Sequence, residues 1–363
     1  MIYLDNAATT PLCDAAIQAI TNNLDNYGNP SSVHSHGYEM KMMIEYARTK
    51  IAKCINAEPE EIYFTSGGSE ADTWALNGRI SLASSIEHHA IRPTFTFPVK
   101  KSGIVDPADV NVALKQHMLY DIPIEIVSCM MVNNEIGTIQ PVKKIAELAH
   151  ENGALFHTDA VQAIGHIPVD VKDIGCDMLS ASAHKFGGPK GVGFLYVKKG
   201  VSIKPIIDGG KQESGMRGGT ENTLGILAMA SALEDSVEYM NTCAGYVRAI
   251  RDRLLDRLLK IDGVYLNGQY NPRMVNNINV RIKGVSGQDF VAMADELGIC
   301  CSTGSACNEG IATPSHVLKA IGLTDEESLS SVRFSLGFEN EETDIDYCCE
   351  IIPKIINRLR ETS

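Results

Sequence analysis

Lys185 lies within Ser180-Ala-Ser-Ala-His184-Lys185-Phe-Gly-Gly-Pro-Lys-Gly191, behind an apolar strand pattern and ahead of a glycine-rich turn. Most lysines are solvated surface residues, and a solvated lysine has no use for so tight a setting. A lysine that forms a Schiff base does: it needs a rigid strand end and partial desolvation, which lowers its pKa toward neutrality. One strand–helix–strand step upstream, Asp159 stands in Phe156-His-Thr-Asp-Ala-Val-Gln162. A carboxylate at the end of a buried strand is costly unless something pairs it. A protonated pyridine nitrogen would do so; capping a following helix is the other use of such an acid.

Thr65-Ser-Gly-Gly-Ser-Glu70 supplies a third element. Small residues between a strand and a helix leave backbone N–H groups free at the positive end of the helix dipole, where a phosphate binds. The pattern is neither the dinucleotide fingerprint nor a P-loop, so ordinary nucleotide binding is not expected. A Schiff-base lysine, an acid for a pyridine nitrogen and a phosphate turn together fit pyridoxal 5'-phosphate.

The elements that must hold these residues show as periodicity. Met40, Ile44, Ala47, Ile51 and Ile55 sit three or four apart, one stripe of a helix expected to close at Pro59. Strands are expected at Glu61–Thr65, Ile124–Val132, Ala154–Thr158, Asp177–Ala181 and Val192–Val197, with a helix over Val142–Asn152. Strands alternating with helices imply a mainly parallel sheet covered on both faces. Past Thr220 a long helix from Glu221 to about Leu259 leads to strand signals at Gly263–Leu266 and Asn276–Ile282. A helix around Gln288–Leu297 and another near Glu341–Arg360 complete the chain. The expected fold class is α/β, with a large cofactor-binding domain over residues 14–240. A small α+β domain is expected from residues 1–13 and 241–363.

A chain of 363 residues exceeds the ~250–300 at which a single core stops growing. Apolar residues make up 44% and charged residues 21%, an ordinary globular balance that needs no staple. The net charge of −13 argues against a nucleic-acid partner and leaves a small substrate or a protein partner open. No apolar run approaches the ~18–20 residues of a membrane span, and MIYLDNAATT lacks the segments of a secretory signal. No membrane association and a cytoplasmic location are therefore expected. The ten cysteines lie singly or in adjacent pairs, Cys300-Cys301 and Cys348-Cys349, and no C-x-x-C occurs. Neither a metal site nor a disulfide framework is expected.

Further motifs run the length of the chain: Tyr3-Leu-Asp-Asn-Ala-Ala-Thr-Thr-Pro11, Gly28-Asn-Pro-Ser-Ser32, Phe64-Thr-Ser-Gly67, Glu87-His88 and Val132-Asn-Asn-Glu-Ile-Gly137. His157-Thr-Asp-Ala160, Ala183-His-Lys185, Gly215-Met-Arg-Gly-Gly-Thr220, Ser302-Thr-Gly-Ser-Ala-Cys307 and Val332-Arg-Phe-Ser-Leu-Gly337 follow. In type and order the whole set resembles the cysteine desulfurases, within the aspartate-aminotransferase-like, class V, fold type I pyridoxal-phosphate enzymes. The resemblance implies that Lys185 carries the cofactor and moves the substrate Cα proton. It implies that Asp159 holds the pyridine nitrogen and Gln162 the ring hydroxyl, with His88 stacked on the ring and handling protons. Asn134 is similar to the residue that contacts cofactor and substrate, and Arg333 to the clamp on the substrate carboxylate. Gly68, Ser69, Ser182 and His184 match the phosphate cradle. Thr220 resembles a residue that reaches the phosphate of a neighbouring subunit, which implies a homodimer.

Cys307 separates a desulfurase from an ordinary aminotransferase. It ends a run of small residues that suits a mobile loop, and a nucleophile that collects sulfur and delivers it elsewhere needs such a loop. The stretch Asn308–Leu318 resembles the long-loop branch of the family, which often passes sulfur directly to acceptor proteins. The reaction implied takes L-cysteine to L-alanine and leaves a persulfide on Cys307 for iron–sulfur cluster or thiolation pathways. A free thiol has a pKa of ~8.5, so some lowering or a proton acceptor is needed near neutral pH. The alternatives are a selenocysteine lyase, another class V aminotransferase, or a scaffold that keeps the cofactor for folding alone. Two departures stand out: Gly78–Gly103 is short for the family, as if a helix and a strand beside His88 were trimmed. Phe338-Glu339 also follows Gly337 where the long-loop enzymes carry a basic residue.

Overall fold

Phe156-His-Thr-Asp159 and Met178-Leu-Ser-Ala-Ser182 are buried at every position, as strands covered on both faces must be. The computed structural model describes residues 1–303, 307–308 and 311–362, with 307, 308, 311 and 312 described as backbone alone. After Ile2–Tyr3 (β1) come Ile62–Thr65 (β2), Ser81–Ser84 (β3), Phe95–Phe97 (β4) and Ile126–Ser128 (β5). Leu155–Asp159 (β6), Met178–Ser182 (β7) and Gly193–Val197 (β8) complete a seven-stranded sheet in the order β2-β8-β7-β6-β5-β3-β4. Only β8 runs antiparallel to its neighbours. The carboxyl ends of the other six strands therefore share one edge of the sheet, where α/β folds bind ligands.

Two groups of apolar side chains cover this sheet. Ile51, Phe64, Val127, Phe156 and Phe194 pack on one side, joined by Ile226, Met229 and Leu233 of the long helix Thr223–Leu258. Ala71, Trp74, Ile126, Met178 and Leu195 pack on the other. A separate cluster takes the far half of the long helix, through Val247, Ile250 and Leu254. It surrounds Val264–Leu266 (β9), Asn277–Ile282 (β10) and, on the other side of β10, a strand introduced below, with Phe290 and Ile352 from two further helices. β1 pairs in parallel with Ile299–Cys300 (β11). Cys307–Asn308 (β12) and Ile311–Ala312 (β13) form a hairpin in which Cys307 opposes Ala312. Ser331–Ser335 (β14) is the partner of β10, with Asn279 opposite Arg333.

Three expectations change in detail. The helix Ser35–Cys54 stops well before Pro59, because Asn56 turns the chain with φ of 58°, and Pro59 opens a short 3₁₀ turn instead. β5 is shorter than Ile124–Val132: it ends at Ser128, although the Cys129 and Met131 N–H groups still donate to the His157 and Asp159 carbonyls of β6 as the chain passes along the carboxyl edge. Between Gly78 and Gly103, where the sequence reads as trimmed, β3 and β4 remain and residues 85–94 join these parallel strands without a helix. Parallel crossovers usually need a dozen or more residues, so this one holds Glu87 and His88 close to the sheet edge.

Candidate active site

Four strand ends deliver the expected residues to one cavity. Asp159 ends β6. Ser182 ends β7 and leads into the 3₁₀ turn Ala183–Lys185. Gly68 and Ser69 begin the helix Gly68–Leu76 just after β2, and Met130 and Asn134 follow β5. The cavity encloses about 370 Å³ and is lined by Gly68, Ser69, His88, Asn134, Asp159, Gln162, Ser182, His184, Lys185 and Arg333. Ala7, Ala8, Asp72 and Ser302 also reach it.

Lys185 is half-buried, and its Nζ donates to the carbonyl oxygens of Ala7 and Ala8, each at 2.7 Å. Burial and the neighbouring Arg333 bring its pKa down to about 8, against the pull of Asp159 and Asp5. Asp159 is 4% exposed. Its Oδ1 accepts the Val161 N–H at 2.8 Å, a contact at the head of a turn over residues 161–166; no helix begins there for the acid to cap. Burial raises it to about 6 while the Val161 N–H and Lys185 oppose the rise. A lysine brought down and an acid brought up, facing one cavity, are the signature of groups tuned for proton work near neutral pH.

Beneath Asp159 sits a buried polar layer. The His157 ring lies 2.9 Å from both the Ser128 and Ser180 hydroxyls, and burial takes its pKa down to about 3, so it is neutral. Asp72 Oδ1 is 3.8 Å from His157 Nε2 and has no hydrogen-bond partner among the described residues; burial first, then Asp159, holds this acid far above the usual range. Glu87, next to His88, is equally enclosed.

The phosphate end is shaped by Gly68, where an added Cβ would meet Val161 Cγ2 at 2.6 Å. His184 Nδ1 lies 3.2 Å from Thr9 Oγ1, and burial keeps its pKa down at about 4. Gln162 donates to Ala7 O at 2.9 Å. His88 stays exposed along one edge, yet the packing around it and the nearby His89, Lys185 and His316 hold its pKa below the ordinary imidazole value. Arg333, on β14, is 5% exposed. Its guanidinium reaches Asp5 Oδ1 at 2.8 Å and Asn134 O at 3.0 Å, and its Nε has no partner among the described residues.

Two expected residues stand apart. Thr220 is exposed and is not among the residues lining this cavity. The segment before it is fastened at its base: Glu213 and Ser214 adopt φ of 47° and 58°, and both terminal nitrogens of Arg48 reach the Glu213 carboxylate at 2.8 Å. Arg217 forks onto Glu70, whose carboxylate also accepts the Ser66 N–H at 2.7 Å. Cys307 is described as backbone alone, in β12, and its side chain lies outside the described residues. The loop that bears it leaves the sheet at Ser302, whose N–H and C=O bond those of Arg333 at 3.1 and 2.6 Å.

The site also uses residues for which sequence reasoning gave no role. Asp5 pairs Arg333, the carbonyls of Ala7 and Ala8 hold Lys185, and Asp72, Glu87 and Glu135 are buried acids around it. All but Asp72 fall inside motifs that the sequence displays, so the signal was present without the geometry to interpret it.

A family model for the class V aminotransferases matches residues 2–348. A cysteine desulfurase IscS from Methanosarcina thermophila is 42% identical over 383 aligned positions, covering 100% of this chain and 93% of that protein. The chain belongs to the class V aminotransferases, on their cysteine desulfurase branch. Among solved structures of this family, a NifS-like protein superposes with a TM-score of 0.90 at 32% identity, over 98% of this chain and 99% of its own. Another, SspA in complex with cysteine, gives 0.79 at 31% identity, over 93% and 99%. Members of this family use pyridoxal phosphate, and the cavity suits it: an acid and a lowered-pKa lysine at one side, a helix N-terminus that admits only glycine at the other.

Proposed function

We propose that this chain takes the sulfur of L-cysteine onto Cys307 and releases L-alanine, with pyridoxal 5'-phosphate held by the residues around Lys185. The observation that carries the reading is the pairing of Lys185, brought down to about 8, with Asp159 in one cavity at the carboxyl edge of the sheet. When bound, the cofactor supplies an electron sink for the bonds at the substrate's α-carbon. Lys185 would hold it covalently and, once freed by the substrate's amine, would move the Cα proton; Asp159 would secure the ring nitrogen and Gln162 the ring hydroxyl. Gly68 and Ser69 offer N–H groups, and Ser182 and His184 side-chain donors, to the phosphate. His88, which lines the cavity, would cover the ring. The substrate carboxylate goes to Arg333, where Nε awaits a partner and Asp5 is the ligand it competes with. Cys307, as thiolate, attacks the substrate sulfur: a sulfur–sulfur bond forms, the substrate's carbon–sulfur bond breaks, and its electron pair ends, after protonation, as the methyl group of alanine.

Residues 14–240 would form the cofactor domain, and 1–13 with 241–363 the smaller one, a division that the separate apolar clusters favour except at Met274, Val317, Leu318 and Ile321, which pack with the larger core. A homodimer is supported by an exposed row on one helix face, Tyr38, Met42 and Tyr46, beside the fully exposed Val33. A groove of about 730 Å³ runs from Val33 and Tyr38 to Lys211–Ser214, at the base of the segment that leads to Thr220. In such a dimer Thr220 would serve the partner's phosphate. The persulfide would pass to an acceptor protein of iron–sulfur or thiolation chemistry, in a reducing cytoplasmic setting that the free thiols suit.

The test is the reaction itself. The holoenzyme should yield alanine from cysteine without a keto-acid acceptor and carry one extra sulfur on Cys307 by mass spectrometry. Lys185→Ala should lose the borohydride-fixed cofactor and turnover together. A need for a keto acid would turn the reading toward an aminotransferase.

A further inference from the structure

The loop that carries Cys307 has two feet, and both stand on the active site. The first is Ser302, bonded to the backbone of Arg333. The second is Ser315-His316, where the chain re-enters helix at His316–Ala320. Ser315 is buried; its hydroxyl donates to Glu135 Oε2 at 2.5 Å and accepts the Leu318 N–H at 3.2 Å. Glu135 follows Asn134, and burial raises its carboxyl to about 7 against the pull of the Ser315 hydroxyl and Arg333. His316 Nε2 lies 2.9 Å from the carbonyl oxygen of Glu87. A carbonyl only accepts, so the imidazole donates, and the peptide it fixes is the one that leads into His88. The His316 ring also packs at 4.5 Å against His89. Glu87 is held from the opposite side through its own carboxyl, which accepts the Met130 N–H at 2.9 Å.

We propose that His316, with Ser315, positions Cys307 for attack on the substrate sulfur, by fixing the second foot of its loop to the peptides that carry His88 and Asn134. This rests on Cys307 being the sulfur acceptor. Distances along the chain show why the foot matters. Cys307 opposes Ala312 in the β12–β13 hairpin, and Ala312 is three residues from Ser315. With about 5 Å across the hairpin and about 3.5 Å per residue, the Cys307 Cα stays within about 16 Å of Ser315 while the hairpin is paired. The tether limits reach without fixing position, so a displaced foot lowers the share of arrangements in which the sulfur acceptor meets the substrate, and misplacement of a reacting group is worth up to about a hundredfold in rate. His316 and Ser315 are positioning residues, since neither lines the cavity.

The experiment uses holoenzyme and single-turnover kinetics with L-cysteine. His316→Ala should slow alanine release and persulfide formation on Cys307 between about tenfold and a hundredfold. It should leave unchanged both the cofactor content and the absorbance change that the cofactor shows when cysteine binds. His316→Gln, whose side-chain amide can donate to the same carbonyl, should recover most of the rate. Ser315→Ala, which removes only a hydroxyl, should move the same step in the same direction. An unchanged single-turnover rate in His316→Ala would overturn the proposal. So would loss of the absorbance response in step with turnover, or no recovery in His316→Gln. Cys307→Ala, run alongside, separates this from the reading beneath it: full alanine release there would overturn the role of Cys307 itself.

Discussion

Glu87 offers a quantitative test of the electrostatics around the cavity. Its Oε1 accepts the Ser84 hydroxyl and the Met130 N–H, while Oε2 has no partner among the described residues. Burial, opposed by those two donors, pushes its pKa up to about 8. An unfolded glutamate titrates near ~4.3, so the folded chain keeps a proton that the unfolded chain gives up across that window. Stability conferred by the neutral acid is thus complete below pH ~4.3 and is lost as pH rises toward ~8. At ~1.36 kcal/mol per unit the whole gap is worth up to about 5 kcal/mol, and the part between about pH 5.5 and about pH 8 comes to about 3 kcal/mol. Glu87→Gln keeps the size and removes the titration. Urea unfolding of wild-type and variant holoenzyme at those two pH values should show the variant gaining about 3 kcal/mol relative to wild type on going to the higher pH. Asp72 and Glu135 are common to both proteins and cancel in the comparison. A difference between the two proteins that is the same at both pH values would refute the reasoning. Turnover near pH 7 should change little, because the acid that Gln replaces is already neutral there and Asp159 keeps its charge.

Arg48→Ala should cost about 3–5 kcal/mol by urea unfolding, because it strands the buried Glu213 carboxylate beneath a left-handed turn. Lys144→Ala, which breaks an exposed pair with Glu147, should stay within about 1 kcal/mol and serves as its control. Asp159→Asn should lower alanine release on the order of a hundredfold while the unfolding midpoint moves little, since a preorganised charge is lost and the Val161 turn contact can remain. A near-normal rate would return Asp159 to a purely local turn role. Light scattering of the holoenzyme should give about twice the 39.4 kDa of one chain; a single-chain mass would remove the dimer.

Lys185, Asp159 and the Gly67-Gly68 turn were legible because each sits where a strand pattern stops and small or charged residues begin. β3 and β4 were not. Ser81-Leu-Ala-Ser84 is buried at all four positions, so it lacks both the polar alternation and the β-branched residues by which a strand announces itself. β14 was seen as a motif and missed as a strand, although Ser331-Val-Arg-Phe-Ser335 places Arg333 inward on a buried strand. Such a burial makes sense only once Asp5, distant in sequence, is seen to pair it. The same holds for Asp72 and Glu87: a single acidic residue reads as surface by default, and its neutral, enclosed state follows from what tertiary structure packs around it. Local chemistry was readable, and long-range compensation was not.

That compensation also bears on which cysteine can carry sulfur. Cys300 and Cys301 close the run Leu297-Gly-Ile-Cys-Cys, and β11 pairs in register with β1, Tyr3 opposite Cys300. Cys301 is 8% exposed, and burial drives its thiol well above the ordinary value. Cys300 is half-exposed, but burial and then Asp295, 3.9 Å from its sulfur, raise its pKa too. A thiol that resists ionisation and a strand held in register make poor carriers, since delivery needs both thiolate and travel. Cys307 is also paired, opposite Ala312 in a two-residue strand, and is set apart by its place in the chain. It lies between a foot that shares backbone bonds with Arg333 and a foot tied to Glu135 and to the peptide before His88. Both ends of its loop are therefore referenced to the groups that would hold substrate and cofactor, which sets where the sulfur carrier starts.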